Sequence, residues 1–225
     1  MADIPILTID GPGGAGKGTL SSMIAKKYGW HLLDSGALYR LTALSAEQKQ
    51  VALEDVSAVA ALARALDVRF EADQDAPVRV MLEEKDVTRA IRREAIGSAA
   101  SVVAQHPEVR EALLERQRVF ATSPGLVADG RDMGTVVFPY ATLKIFLTAS
   151  ADERARRRYN QLQESGVSAN FEHLLEDIQA RDARDANRAV SPLQPASDAI
   201  TLDTTTLDIP DVVARIETLL DERLG

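Results

Sequence analysis

Apolar residues run together without alternation in Ile4–Asp10 and stop at glycines, the pattern of a strand buried on both faces. From Lys17 to Tyr28 they recur instead at Leu20, Met23 and Ile24, and the segment ends before Gly29, which predicts a helix. WHLLD (Trp30–Asp34) reads as a second short strand. Ser35 then caps a helix to about Glu47, and LEDVSAVAALARAL (Leu53–Leu66) is another helix. Next the period changes. Asp67–Glu71 and Val78–Glu84 alternate apolar and polar residues on either side of ADQDAP, the mark of an antiparallel hairpin with one wet face. It reads as an insertion into an otherwise α/β chain.

Helices are expected again from about Val87 to Ala104 and from Pro107 to Phe120. LVADG (Leu126–Gly130) and LKIFLT (Leu143–Thr148) are further buried strands, followed by helices at Ala151–Glu164 and Phe171–Asp185. AITLDT (Ala199–Thr204) is a last strand and Ile209–Arg223 a last helix. Five apolar strands separated by helices imply an α/β fold, a parallel sheet with helices on both faces. The pattern leaves the strand order open. There is no internal repeat or low-complexity tract.

The 225 residues suit one domain of ordinary to large size, with 45% hydrophobic and 27% charged residues as in a soluble globular protein. No apolar run approaches the ~18 residues of a membrane span. The first residues, MADIPILTID, carry no basic segment ahead of their apolar ones, so no signal peptide is expected and the cytoplasm is the default location. Absence of cysteine removes disulfides, thiolate metal sites and a cysteine nucleophile. His31, His106 and His173 are far apart in sequence, which argues against a histidine metal site. A net charge of −8 argues against a nucleic-acid partner. Twenty arginines against six lysines fit phosphate recognition, or simply a GC-rich coding sequence; their positions must decide.

One stretch carries chemistry by itself. Gly11, Pro12, Gly13, Gly14, Ala15, Gly16 and Lys17 match the first seven positions of the Walker A pattern. Glycines let the backbone turn its N–H groups toward an anion, the helix that follows adds its positive end, and lysine reaches the terminal phosphates. The pattern departs in one respect. Gly18 intervenes before Thr19, so the hydroxyl that would face a metal is displaced by one position. The bland alternative is a glycine-rich turn that only joins strand to helix.

GPGGAGKGT, HLLDSGALYR and ADGRDMGTVVFP together resemble the nucleoside monophosphate kinases. LDSGALYR, DGRDMGTVVFP and RDARDANRAVSPL are similar, more narrowly, to the bacterial cytidylate kinases, over essentially the whole chain; Gly18-Thr19 is that family's own form of the loop. The resemblance implies a single P-loop NTPase-like domain. It includes a monophosphate-binding region at 36–96 with a small antiparallel insertion at about 67–85, and a short arginine-rich lid at 154–166. It implies transfer of the γ-phosphoryl group of ATP to CMP or dCMP, with Mg²⁺, by a monomer with no nucleic-acid or membrane partner.

Residue by residue, the resemblance assigns the loop from Gly11 to Thr19 to ATP, with Lys17 on its phosphates. Asp129 ends an apolar run at the carboxyl edge of a strand, where open α/β sheets place ligands. A carboxylate there can hold Mg²⁺ through water, with Thr19 as a second candidate, or can merely cap a turn. Arg131 would reach the acceptor phosphate and stabilise transferred charge. Asp132 would read the cytosine amino group, an acceptor carboxylate meeting a donor. Ser35 and Arg40 would hold the monophosphate. Ser101 and Arg110 would contact the base, although each is bland taken alone. Arg181, Asp185 and Arg188 share one face if their helix persists, either as an ion-pair ladder in solvent or as a site for ribose and phosphates. Arg154, Arg157 and Arg158 lie within one helical turn, on a lid face that would swing onto ATP or on a solvated basic helix. Arg157 is the catalytic candidate among them.

Two other kinds of function compete. A kinase for another small acceptor (UMP, AMP or shikimate) would share the loop. A nucleotide switch, a regulatory ATPase or a nucleic-acid-handling P-loop protein would need other features. The guanine-reading Asn-Lys-x-Asp does not occur in the sequence, and the acidic charge weighs against nucleic acid.

Overall fold

The computed structural model describes residues 4–71 and 79–225. The start of MADIP, the ADQDAP turn and Val78 lie outside the described residues. The chain divides into two compact units, residues 4–34 with 118–225, and residues 35–117.

The first unit is built on five parallel strands: β1 (Ile6–Asp10), β2 (His31–Asp34), β6 (Leu126–Gly130), β7 (Leu143–Thr148) and β8 (Ile200–Asp203), in the order β2-β6-β1-β7-β8. β1 and β6 are each paired on both sides, which is why their sequences are apolar almost throughout. On one face Leu7, Ile9, Val127, Ile145 and Leu147 meet Leu20 and Ile24 of α1 (Lys17–Tyr28) and Val212, Ile216 and Leu220 of α8 (Ile209–Leu224). Each large side chain fully buried there contributes about 1.5–3 kcal/mol. On the other side of β1 lies a π-helical turn, Met133–Val137, followed by the fully buried Phe138. α6 (Ala151–Glu164) and α7 (Phe171–Ala186) pack against one another. Among the described residues no helix is long and apolar enough to cross a membrane.

The second unit packs α2 (Ser35–Gln48) against α4 (Glu94–Val103), with α3 (Val56–Arg64) and α5 (Pro107–Arg118). Asp55 caps α3 by accepting the Ala58 amide at 3.0 Å. Its sheet has three antiparallel strands, β3 (Val68–Glu71), β4 (Arg79–Leu82) and β5 (Lys85–Asp86). The third strand is not apparent from apolar periodicity. It is two polar residues long, and β4 reaches it through Glu83 and Glu84, both at positive φ (48° and 64°). That backbone normally advertises itself with Asn-Gly, which is missing here.

The single helix expected from Val87 to Ala104 is broken into a 3₁₀ turn, Ala90–Arg92, and α4. Two things prevent its early start. Thr88 is tied to the sheet, its hydroxyl accepting the Val80 amide and its own amide donating to Asp86. Arg93 then adopts an extended conformation (ψ 143°) ahead of α4.

Candidate active site

Asp10 of β1 and Gly130 of β6 are register partners, so the loops after these two strands leave the sheet side by side. The loop after β1 begins at Gly11, where φ is +146° and an added Cβ would lie 2.0 Å from the Leu147 carbonyl oxygen. Only glycine fits that approach. Gly16 is also left-handed (φ 91°) and hands the chain to α1, whose first amides have no capping side chain. Lys17 is buried, and its Nζ donates to the Pro12 carbonyl at 2.9 Å while lying 3.8 Å from Asp129 Oδ1. Burial, and then the Arg131 charge, pull Lys17 below the usual lysine range. Burial pushes Asp129 up, Lys17 pulls it back, and Asp34 pushes it up again.

An added Cβ on Gly18 would lie 3.5 Å from Asp129 Oδ2, and Thr19, the next residue, is exposed. No three acidic or histidine side chains converge among the described residues. Asp129 offers one oxygen ligand of the kind a hard divalent cation takes, and such a cation would draw its other ligands from phosphate oxygens and water.

Two arginines cover the loop. An added Cβ on Gly13 would meet Arg131 Nη2 at 3.4 Å and Arg181 Nη1 at 3.6 Å. Arg131 is aimed by Asp185, whose Oδ2 accepts its Nε–H at 2.9 Å, and Arg188 donates to the other oxygen of the same carboxylate. Burial alone would raise Asp185, but the guanidiniums of Arg131 and Arg188 outweigh it and hold the carboxyl below its usual range. The three residues expected on one helix face do not share a helix. α7 stops at Ala186, where the Asn187 side-chain amide donates to the Ala183 carbonyl at 2.8 Å, and Arg188 reaches Asp185 by turning back beyond the helix end.

The α6 arginines, expected on a lid face or on a solvated basic helix, have different partners here. Arg154 is buried and already committed, with Nε on the Ala149 carbonyl (3.0 Å), Nη1 on the Gly13 carbonyl (3.0 Å) and a two-pronged ion pair to Asp182 of α7. It joins the loop, the end of β7 and α7 in one polar knot. Arg157 bonds Glu153 (3.1 Å) and the Thr204 carbonyl, while Arg158 bonds Gln161 (2.8 Å).

Asp10 and Asp182 carry no signal in the sequence beyond a strand end and a helix charge. Asp10 is buried, with each carboxylate oxygen accepting a backbone amide, Met133 at Oδ1 and Gly134 at Oδ2, both at 2.8 Å. Burial pushes it up to about 7, against the pull of those two amides, while the charge of the buried Asp132 pushes it further up and Lys17 pulls it down.

In the second unit, Ser35 opens α2 and its hydroxyl donates to Gln117 Oε1 of α5 at 2.7 Å. Arg40 donates to the Ile91 carbonyl at 2.8 Å. Arg110 is buried on α5, bonded to the Ala104 carbonyl (3.3 Å) with its guanidinium 5.8 Å from the centre of the Tyr39 ring. Ser101 is buried on α4. Gln117 and Tyr39 are partners that periodicity alone classes as ordinary helix residues.

The family model for cytidylate kinase matches residues 7–222. The chain belongs to the cytidylate kinase family. It is 56% identical over 221 residues to a cytidylate kinase of Aeromonas hydrophila, covering 98% of this chain and 96% of that protein. It is 59% identical over 211 residues to one of Sodalis glossinidius, covering 94% and 92% of the two chains. It is 57% identical over 224 residues to one of Klebsiella pneumoniae, covering 100% and 98%. As a cytidylate kinase family member, the protein carries its loop lysine, its two loop-facing arginines and the Asp129 carboxylate in one unit of the fold.

Proposed function

We propose that this protein transfers the γ-phosphoryl group of ATP to CMP or dCMP, giving ADP and CDP or dCDP. Membership of the cytidylate kinase family over nearly the whole chain carries this reading. The chemistry of the first unit supports it. Phosphoryl transfer needs phosphates held in line and charge neutralised more than it needs covalent help from protein. The loop amides and Lys17 hold the donor phosphates. Arg131 and Arg181 stand over the same loop, where charge spreads during transfer. An oxygen of the acceptor phosphate attacks the γ-phosphorus as the bond to the β–γ bridging oxygen breaks, and ADP keeps that oxygen. The acceptor is already an oxyanion, so no general base is required.

Mg²⁺, when bound, neutralises the β- and γ-phosphate oxygens. Asp129 would hold it, partly through water, with Thr19 near the same phosphates. Asp132 reads the cytosine amino group, Asp185 takes a ribose hydroxyl, and Arg188 supports it. Within the second unit, Arg40 and Ser35 are the candidates for a monophosphate and Ser101 and Arg110 for a base. Arg157 would serve the donor phosphates only by leaving the Thr204 carbonyl. The absence of cysteine and the acidic charge agree with a cytoplasmic enzyme for small nucleotides; a monomer is what the family resemblance implies.

The test is ADP formation with Mg-ATP and, separately, CMP, dCMP, UMP, AMP, GMP, shikimate or no acceptor. Turnover with CMP and dCMP well above the rest is expected. A panel no higher than the no-acceptor control overturns the kinase reading and leaves an ATP-binding loop.

A further inference from the structure

The turn that follows Arg131 and Asp132 is capped from outside itself. Asp132 is the N-cap residue of the Met133–Val137 turn. An N-cap aspartate ordinarily accepts the amide two or three residues on, here Gly134 or Thr135. Asp132 makes no such bond. Asp10, 123 residues before Met133, takes that role and accepts the Met133 and Gly134 amides with one oxygen each. The turn is also seated hard against the sheet: an added Cβ on Gly134 would lie 3.0 Å from Thr8 Oγ1 and 3.1 Å from the Lys144 side chain. With the seat fixed by contact and the first amides taken by Asp10, the usual use of the Asp132 carboxylate is pre-empted.

We propose that Asp10 is a positioning residue for base selection, capping the Met133–Val137 turn from β1 so that the Asp132 carboxylate is kept off the turn's amides. The link to base selection rests on the reading of Asp132 as the cytosine-recognising group. Two effects enforce the arrangement. The Gly134 amide has one good acceptor direction, and Asp10 occupies it. A carboxylate at Asp10 also repels one at Asp132. Asp10→Asn removes the repulsion and leaves one acceptor oxygen where there were two, with an NH2 donor set against the other amide; the turn then loses half of its outside cap, and Asp132 folds back as an ordinary N-cap and no longer serves the base.

The experiment compares the wild type with Asp10→Asn, Asp132→Ala and the double variant, at about pH 8 so that Asp10 is ionised. In Asp10→Asn, kcat/KM for CMP falls about tenfold, the CMP-to-UMP preference falls with it, and KM for ATP stays within about twofold. In the Asp132→Ala background, Asp10→Asn removes no further preference, because both changes act through one group. Asp10→Asn with the wild-type CMP-to-UMP ratio overturns the proposal if Asp132→Ala has lost that ratio. If Asp132→Ala keeps the ratio, the base assignment of Asp132 is what fails. A crystal structure of Asp10→Asn then decides the capping itself: Asp132 on the Gly134 or Thr135 amide supports it, and an unmoved Asp132 overturns it. Should Asp10→Asn not fold, Asp10→Ser, whose hydroxyl can accept one of the two amides, is read by the same ratio and the same structure.

Discussion

Two loops leave the sheet side by side, one after β1 and one after β6, and they are made in opposite ways. The Gly11–Lys17 loop is largely self-sufficient. Glycine conformations shape it, and Lys17 closes it on the carbonyl of Pro12, five residues back. The loop after β6 is not self-sufficient. Its amides are capped by Asp10, and Arg131 is aimed by Asp185, 54 residues away. A phosphate cradle can be built from local backbone, because every anion presents the same demand for N–H donors. A site that must hold one arginine and one carboxylate in fixed directions needs partners from elsewhere in the fold.

The largest expected effect tests the self-sufficient loop. Lys17→Met should lower kcat on the order of 10³-fold, about 4 kcal/mol of transition-state stabilisation. The melting temperature should stay near that of the wild type, because the loop is shaped by backbone. A collapse in stability would show that Lys17 holds the loop together.

The next effect tests how the β6 loop is capped. The Asp10 carboxyl is raised from 3.8 to about 7 in the fold. The folded state therefore binds this proton more tightly than the unfolded chain does. The stability this confers is complete below about pH 4 and is lost as pH rises to about 7, by at most about 4 kcal/mol. The stability of the wild type minus that of Asp10→Asn, from urea unfolding, should fall across that window. A flat difference would mean that Asp10 ionises normally and that burial does not govern it.

Asp185→Ala should cost about 3 kcal/mol in urea unfolding, because it strands Arg131 and the buried Arg188 around an absent carboxylate. A loss under about 1 kcal/mol would show that the two guanidiniums find other partners and that Arg131 is not aimed from α7. The smallest effect returns to the first loop. Gly18→Ala lies in the first turn of α1, where its Cβ makes ordinary contact with Asp129 at 3.5 Å, so better helix propensity should raise stability by under about 1 kcal/mol. A fall in thermal unfolding temperature would mean that space beside Asp129 is tighter than this contact distance implies.

Legibility followed the same division. α1 and α6 begin and end where period, caps and glycine said they would, since apolar spacing and capping chemistry are local properties. The five parallel strands could be read from their apolar runs, but not their order, because sheet order is set by which crossovers bury the most surface. The Val87–Ala104 helix was illegible at its start. Thr88 looks like an ordinary helix residue until β4 offers it the Val80 amide and Asp86 takes its own. Arg154, Arg157 and Arg158 read alike, as a lid face or a solvated basic helix, because three arginines in one turn look the same in sequence. Only the position of Gly13 and Asp182 separates the buried knot from the Arg157 and Arg158 bonds.

By itself, then, the sequence determined an α/β chain with a phosphate loop at the end of its first strand, and the motifs that place it among the cytidylate kinases. Each of these follows from residues close together in the chain, whose spacing alone dictates period, turn and amide direction. The tertiary structure decided which charges are paired: Arg131 and Arg188 on Asp185, Arg154 on Asp182, and Asp10 on the amides of a turn 123 residues away. A buried charge must find its partner wherever the fold brings one, and that distance in space leaves no spacing in the sequence to read.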